Sequence, residues 1–450
     1  MKRIKYLLLT IIFCVPMLVN ATNTTYNVCK NGCEYTELET VLAELEARGT
    51  HYDNDTVTIN ITDTGTYTIN EHHLNVSSEY QDLASLTING NNATIVLNST
   101  LEMYAKEINI NDFIVKDYWV DEGAAGYYTG TLSPYANNVK LKNVKVGSVL
   151  LNNGNASPNL AVESSEIFNI SLQGNIDVKD TKVSRIGVSS GTEYKLKNVT
   201  ANRIDMNSAG SANDPDSNID FDNLNVDGFF QLNSAKGNIN NSKIGGLGAT
   251  EVTLDLNNHT GKIINIASGK NSTINVYNPK NDKIDYHKIN SENQTNELFT
   301  NISEAEDPNS WIYTYADINM KSNVNAQINI FFDGTKTIKV NDKLDFSTLF
   351  NTIKSGDKLT YKVDDTSVAK MDGNNIVGLK EGTTKITATS ENGAVNYTLN
   401  LTVEKATIID KMNVDVPITG KSIKLWMILL AGVLFGVIGV AVYMLIRRKK

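Results

Sequence analysis

Three cysteines, seven prolines and five histidines in 450 residues leave little material for several kinds of chemistry. The histidines are His51, His72, His73, His259 and His287, and none shows an H-E-x-x-H spacing. His72 and His73, as neighbours on a strand, face opposite sides. A G-x-S-x-G elbow, a P-loop and a dinucleotide fingerprint are all missing. No metal and no cofactor is therefore expected. Aromatic residues make up only 8%, while Asn, Thr, Ile and Val abound, a composition that favours strands.

Long apolar runs are confined to the two ends. Leu425 to Ile446 is a stretch of 22 uncharged residues. As a helix it reaches about 33 Å, enough to cross a bilayer core. Arg447, Arg448, Lys449 and Lys450 follow at once and favour a cytoplasmic end. At the start, "MKRIK" is a basic region, "YLLLTIIFCVPMLV" an apolar one, and Val19-Asn20-Ala21 supplies small residues for cleavage. A secretory signal over residues 1–21 is expected, an uncleaved N-terminal helix being the other reading. Everything between the ends is then exported, with the N-terminus outside the cell.

Export changes the charge balance. Without the nine basic residues of the ends, 32 basic face 50 acidic side chains, a net charge of −18. Such a surface repels nucleic acid and anionic lipid. In an oxidising exterior Cys29 and Cys33 are expected to close a small disulfide loop, and a zinc site is disfavoured because no second Cys/His pair stands nearby. So short a loop stabilises by about 2 kcal/mol and pins only a local cap.

The middle of the chain repeats. "LKNVKV" (141–146), "VESSEI" (162–167), "VKDTKV" (178–183), "LKNVTA" (196–201), "FDNLNV" (221–226) and "INNSKI" (239–244) share one pattern, with "INDFIV" (110–115) an earlier copy. From the copy at 141 on, the spacings are 21, 16, 18, 25 and 18 residues. This is too short for helical hairpins, but it suits the rungs of a parallel β-helix with turns of variable length. A β-sandwich of short strands is the competing architecture. In the rung reading Leu141, Val162, Val178, Leu196, Phe221 and Ile239 form an interior column. Asn143, Ser164, Asp180, Asn198, Asn223 and Asn241 form a turn column whose short polar side chains bond local backbone.

An open coil end templates aggregation unless it is covered. "YTELETVLAELEARG" supplies a lid, with Thr36 and Glu39 in capping-box spacing and Leu38, Val41, Leu42 and Leu45 on one face. The run from this helix through Gly65-Thr66-Tyr67 and Ile88-Asn89-Gly90 resembles the N-terminal cap of pectate-lyase-like parallel β-helix proteins. That resemblance covers residues 28 to about 280 and implies a right-handed coil. It also implies a possible kinship with enzymes that cut acidic polysaccharides.

Candidate chemistry is sparse. Asp220 and Asp222 lie two apart and so share a face, Asp177 and Asp205 are candidates to approach from neighbouring rungs, and Arg185 or Arg203 could act as base or clamp. The column Lys142, Glu163, Lys179, Lys197, Asp222, Asn240 instead reads as an ordinary solvated ladder. The insertion "YWVDEGAAGYYTGTLSPY" gathers Tyr118, Trp119, Tyr127, Tyr128 and Tyr135. Such rings can stack on sugars, or the loop can fold onto the outside of the coil.

Beyond about residue 326, alternating strands return, with turns at Asp333-Gly334, Asp372-Gly373 and Asn392-Gly393. "KLTYKVDDTSVAKMDGNNIVGLKEGTTKITATSENGAVNYTLNLTVE" (358–404) resembles bacterial Ig-like domains of group 2, with Tyr361 where those carry tryptophan. The resemblance implies an extracellular spacer or adhesion module with no known catalysis. Val416-Pro417-Ile418-Thr419-Gly420 resembles the Leu-Pro-x-Thr-Gly sorting signal of Gram-positive surface proteins, departing from it at Val416. It implies cutting after Thr419 by a sortase and transfer to peptidoglycan; a retained single-pass helix is the alternative.

The expected chain is therefore all-β with a C-terminal transmembrane helix. Its parts are a signal (1–21), a cap with a short helix (22–50), a right-handed parallel β-helix (51–285) and a C-terminal cap (286–325). An Ig-like β-sandwich (326–404), a linker with the sorting-like motif (405–424), the membrane helix (425–446) and a basic tail (447–450) follow. The expected function is a non-catalytic adhesin or glycan-binding protein at the cell surface, meeting a glycan or a host-surface ligand. A surface polysaccharide lyase or glycoside hydrolase is the alternative.

Overall fold

The computed structural model describes residues 21–48, 54–70, 72–74, 83–119, 130–151, 158–207, 217–264, 272–279, 326–406, 415–418 and 421–448. Most of the expected signal and all of the expected cap at 286–325 lie outside the described residues. The chain forms two compact units, Met1–Asn329 and Ile330–Lys450.

In the first unit the strands arise from alternation. In Thr56–Ile61 (TVTINI) and Ser85–Asn89 (SLTIN) each second residue is apolar and buried. Twelve such strands pair in parallel succession on one face, from Asn23–Val28 to Ser272–Tyr277. Parallel neighbours need a long connection, and here each connection carries further paired segments. As Leu141 pairs with Val162, so Lys145 pairs with Glu166 and Val149 with Ile170. The chain thus completes a circuit of three faces between successive strands, an arrangement consistent with a parallel β-helix. We call the faces first, second and third in the order the chain meets them.

The interior column read from the sequence is the observed register. Leu141, Val162, Val178, Leu196, Phe221 and Ile239 are successive partners, and all are buried. The turn column is equally regular. Asn143, Ser164, Asp180, Asn198, Asn223 and Asn241 all adopt left-handed backbone, with φ between 50° and 55°. Asn and Asp tolerate that region better than other residues bearing a side chain. The expectation that they bond local backbone is corrected for the amides. Asn143 Nδ2 donates to Asp112 Oδ1 at 2.7 Å, Asn198 Nδ2 to Asp180 Oδ1 at 2.6 Å and Asn223 Nδ2 to Asn198 Oδ1 at 2.9 Å. Stacking at strand spacing brings equivalent side chains within reach of one another.

The next residue in each turn points inward, and Ser or Thr there also binds between coils. Val144 N donates to Ser165 Oγ at 3.0 Å, and Leu224 N to Ser242 Oγ at 3.1 Å. These bonds satisfy buried turn amides that no strand partner reaches.

Helix α1 (Leu38–Arg48) buries Leu38, Val41, Leu42 and Leu45, the face expected from their spacing, and lies against the strands Thr66–Ile69 and His72–Leu74. Glu39 reaches beyond its own helix, accepting from Asn70 N at 3.0 Å and Asn70 Nδ2 at 2.7 Å. The Gly65-Thr66-Tyr67 turn is organised by Asp63, which accepts from Gly65 N at 3.0 Å and Tyr67 Oη at 2.6 Å. Gly90 is required by space, because a Cβ there would stand 2.4 Å from the Asp112 carbonyl oxygen.

Among the described residues, the strands of the second unit up to Glu404 form two sheets. One holds Ala326–Lys339 parallel to Val395–Glu404, then Gly382–Ser390 and Leu359–Val363 antiparallel. The other joins Lys343–Asp345, Asn375–Gly378 and Ala369–Asp372. The expected turn at Asp333-Gly334 is not a turn: both residues lie inside one long strand opposite Thr398 and Leu399. The Phe350 ring occupies the space beside Gly334, 3.2 Å from where a Cβ would sit. Phe332, Phe350 and Tyr397 form an aromatic core, while Phe346 meets Tyr361 edge-on at 5.2 Å. Strands Asp415–Ile418 and Lys421–Lys424 pair antiparallel ahead of helix α2 (Leu425–Arg447). Residues Met427–Leu445 of α2 are long and apolar enough to cross a membrane, and none is buried among the described residues.

Candidate functional site

The aromatic set divides. Tyr118 and Trp119 lie along the second face, where Lys145, Glu166 and Lys182 are successive register partners. Trp119 meets the Phe168 ring edge-on at 5.6 Å and carries Lys182 Nζ 4.3 Å above its own ring. Tyr118 Oη donates to Glu166 Oε2 at 2.8 Å, and Lys145 Nζ to Glu166 Oε1 at 2.6 Å. Burial, then the bond to Glu166, pushes the Tyr118 hydroxyl up to about 12. The Lys145 ammonium holds the Glu166 carboxyl below its ordinary range, against the effect of burial. These two rings therefore cover the outside of the coil. Tyr135 is on the third face, stacked on Tyr104 with centroids 4.2 Å apart, and Tyr127 and Tyr128 lie outside the described residues.

The carboxylates divide as well. Asp220 and Asp222 share the outward side of the first face, as alternation requires. Their columns run Asp177, Lys195, Asp220 and Lys179, Lys197, Asp222. A shallow groove of about 450 Å³ crosses these columns and continues to Asn240 and Asn257. Asp177, Lys195, Lys197 and Asp220 form no ion pair or side-chain hydrogen bond among the described residues.

Asp177 and Asp205 are not brought together. Asp177 stands opposite Lys195 on the first face, while Asp205 stands opposite Gly187 and Gln231 on the third. Asp205 lies in the next circuit, two faces beyond Lys195, the partner of Asp177. Arg185 and Arg203 are register partners and both hold Asp205. Arg203 Nε and Nη2 donate to it at 2.7 and 2.9 Å, and Arg185 Nη2 at 3.5 Å. Both members of the Arg203–Asp205 pair are only 12–13% exposed, so this carboxylate is fixed in position.

Beside that clamp lies a second groove, of about 410 Å³, which includes Leu150, Ser171, Gln173, Arg185, Gly187 and Asp205. The motif alignment missed it because the copies are anchored on the first face. One signal was available: Gly187 interrupts the alternating run "SRIGVS". No group of three His, Cys, Asp or Glu side chains among the described residues could hold a metal ion. Cys29 and Cys33 are joined in a disulfide, with Cα atoms 5.5 Å apart. Val416, Pro417 and Ile418 lie in a strand, and Thr419 and Gly420 fall outside the described residues. No protein-family model, curated protein or solved structure matches the chain.

Proposed function

We propose that the chain is an exported, non-catalytic adhesin or glycan-binding protein tethered at a cell surface by α2. Its first unit is a right-handed parallel β-helix that meets the ligand, and its second an Ig-like spacer. One observation carries the binding role. The first face presents twelve strands in unbroken register, a polar outer side about 50 Å long whose middle holds charges of both signs without partners among the described residues. An extended polymer rich in hydroxyls can follow such a face, making the same kind of contact at each rung. The carboxylates on it alternate with lysines and amides, a pattern that suits holding a chain more than cutting one.

The tether is supported by the apolar length of α2 and the four basic residues at its end. The Val416–Gly420 motif adds a route from membrane to wall through a sortase and peptidoglycan. Glycan-array binding by the secreted portion tests the reading. Signal should survive chelation of divalent ions and fall when Tyr127 and Tyr128 are both changed to Ala. Unchanged signal removes that loop from the surface, and release of sugar products from any array component would replace binding with catalysis.

A further inference from the structure

Gly187 occupies an outward position on the third face, between Ser171 and Asp205 in the register. Glycine weakens a strand, and in a strand interior it often marks a place where something approaches closely. Neither ordinary reason for a glycine applies here. Its φ is outside the left-handed region, and a Cβ would meet only the Ile170 carbonyl oxygen, at 3.9 Å. Among the described residues, nothing fills the space that the absent side chain leaves.

The rim of this notch is chemically mixed. Asp205 is held rigid by Arg203 and Arg185, Ser171 and Gln173 stand exposed on one side, and Leu150 is 36% exposed beside them. Leu150 and Leu379 are the large apolar residues most exposed outside α2 among the described residues. A fixed carboxylate, hydroxyl and amide groups and a small apolar patch around a groove of about 410 Å³ match a sugar ring. Ring hydroxyls donate to Asp205 and exchange bonds with Ser171, while the C–H side of the ring covers Leu150.

We infer that the Gly187 notch is a saccharide subsite, taking one hydroxyl-bearing sugar unit of a longer glycan. The inference rests on the glycan-binding reading above and adds to the first face a second contact on the third. Gly187→Val tests it directly, since the new side chain fills the notch and valine favours a strand. Full-length chain in detergent micelles is titrated with cellohexaose, mannohexaose and hexagalacturonate, alongside Gly187→Ala, Gly187→Val and Lys370→Ala in the strand Ala369–Asp372 of the second unit. Affinity for a bound probe should fall by about tenfold or more in Gly187→Val and less in Gly187→Ala, with circular dichroism and melting temperature preserved. Lys370→Ala should leave that probe's affinity within about twofold. Equal binding by wild type and Gly187→Val would overturn the subsite while leaving glycan binding intact. Binding of no probe by the wild type would overturn the subsite and the glycan reading beneath it.

Discussion

At the scale of single residues, the fold depends on a left-handed residue repeated at the same corner of successive circuits. Asn198 accepts from Asn223 and donates to Asp180, so it joins three successive coils at φ 53°. Asn198→Ala loses both bonds and strains the backbone, and should lower unfolding free energy by about 2 kcal/mol in denaturant titrations. Asn198→Gly removes the strain and should cost about half as much. His259, the inward residue after Asn258, is 4% exposed, and neither ring nitrogen finds a hydrogen-bond partner among the described residues. Burial drives its pKa down to about 4 from the ordinary 6.5. The neutral ring is the folded form, so its contribution is complete above pH 6.5 and is lost as pH falls towards 4. Once the ring is protonated the loss is about 3 kcal/mol. His259→Leu should flatten stability against pH across that window, and parallel curves for wild type and variant would count against this account.

At the scale of elements, what could be read from the chain depended on periodicity. The copies from 141 to 244 could be aligned because each puts an apolar residue, an outward residue and a left-handed residue at one corner of the circuit, and that corner is the observed register. The third face has no such triplet. Its register shifts between Ala201 and Ile204 and again between Val226 and Phe229, and although the 18-residue offset of the copies at 178 and 196 carries Gly187 onto Asp205, the motif does not say which face those residues occupy. That is why Asp177 and Asp205 looked like possible neighbours. Asp333-Gly334 misled for another reason: the dipeptide is a good turn, but ten residues of pairing with Val395–Glu404 outweigh it. Glycines that look alike in the sequence also separate by element. Gly90 faces a main-chain oxygen, so Gly90→Ala should destabilise by about 3 kcal/mol in the same titration. An unaltered midpoint would mean that the two coils can separate freely there.

At the scale of the whole molecule, the outcome depends on what becomes of α2. If the Val416–Gly420 motif is read by a sortase, mass spectrometry of protein released from purified wall should find a C-terminus at Thr419. Thr419→Ala should then shift the chain to the membrane fraction at full length. An intact C-terminus at Lys450 in both proteins would leave α2 as the permanent tether. Neither fate is visible in residue patterns alone, because cutting depends on a second protein's groove and on the substitution of Val416 for leucine.

The left-handed column has one further consequence. It fixes one corner of the circuit while the length of the turn varies, so turns of 16 and 25 residues keep the same register on the first face. Copying a single turn in the gene would therefore lengthen the column by one strand spacing without redesigning its interior. Growth by tandem duplication is open to this architecture in a way that a closed barrel does not permit.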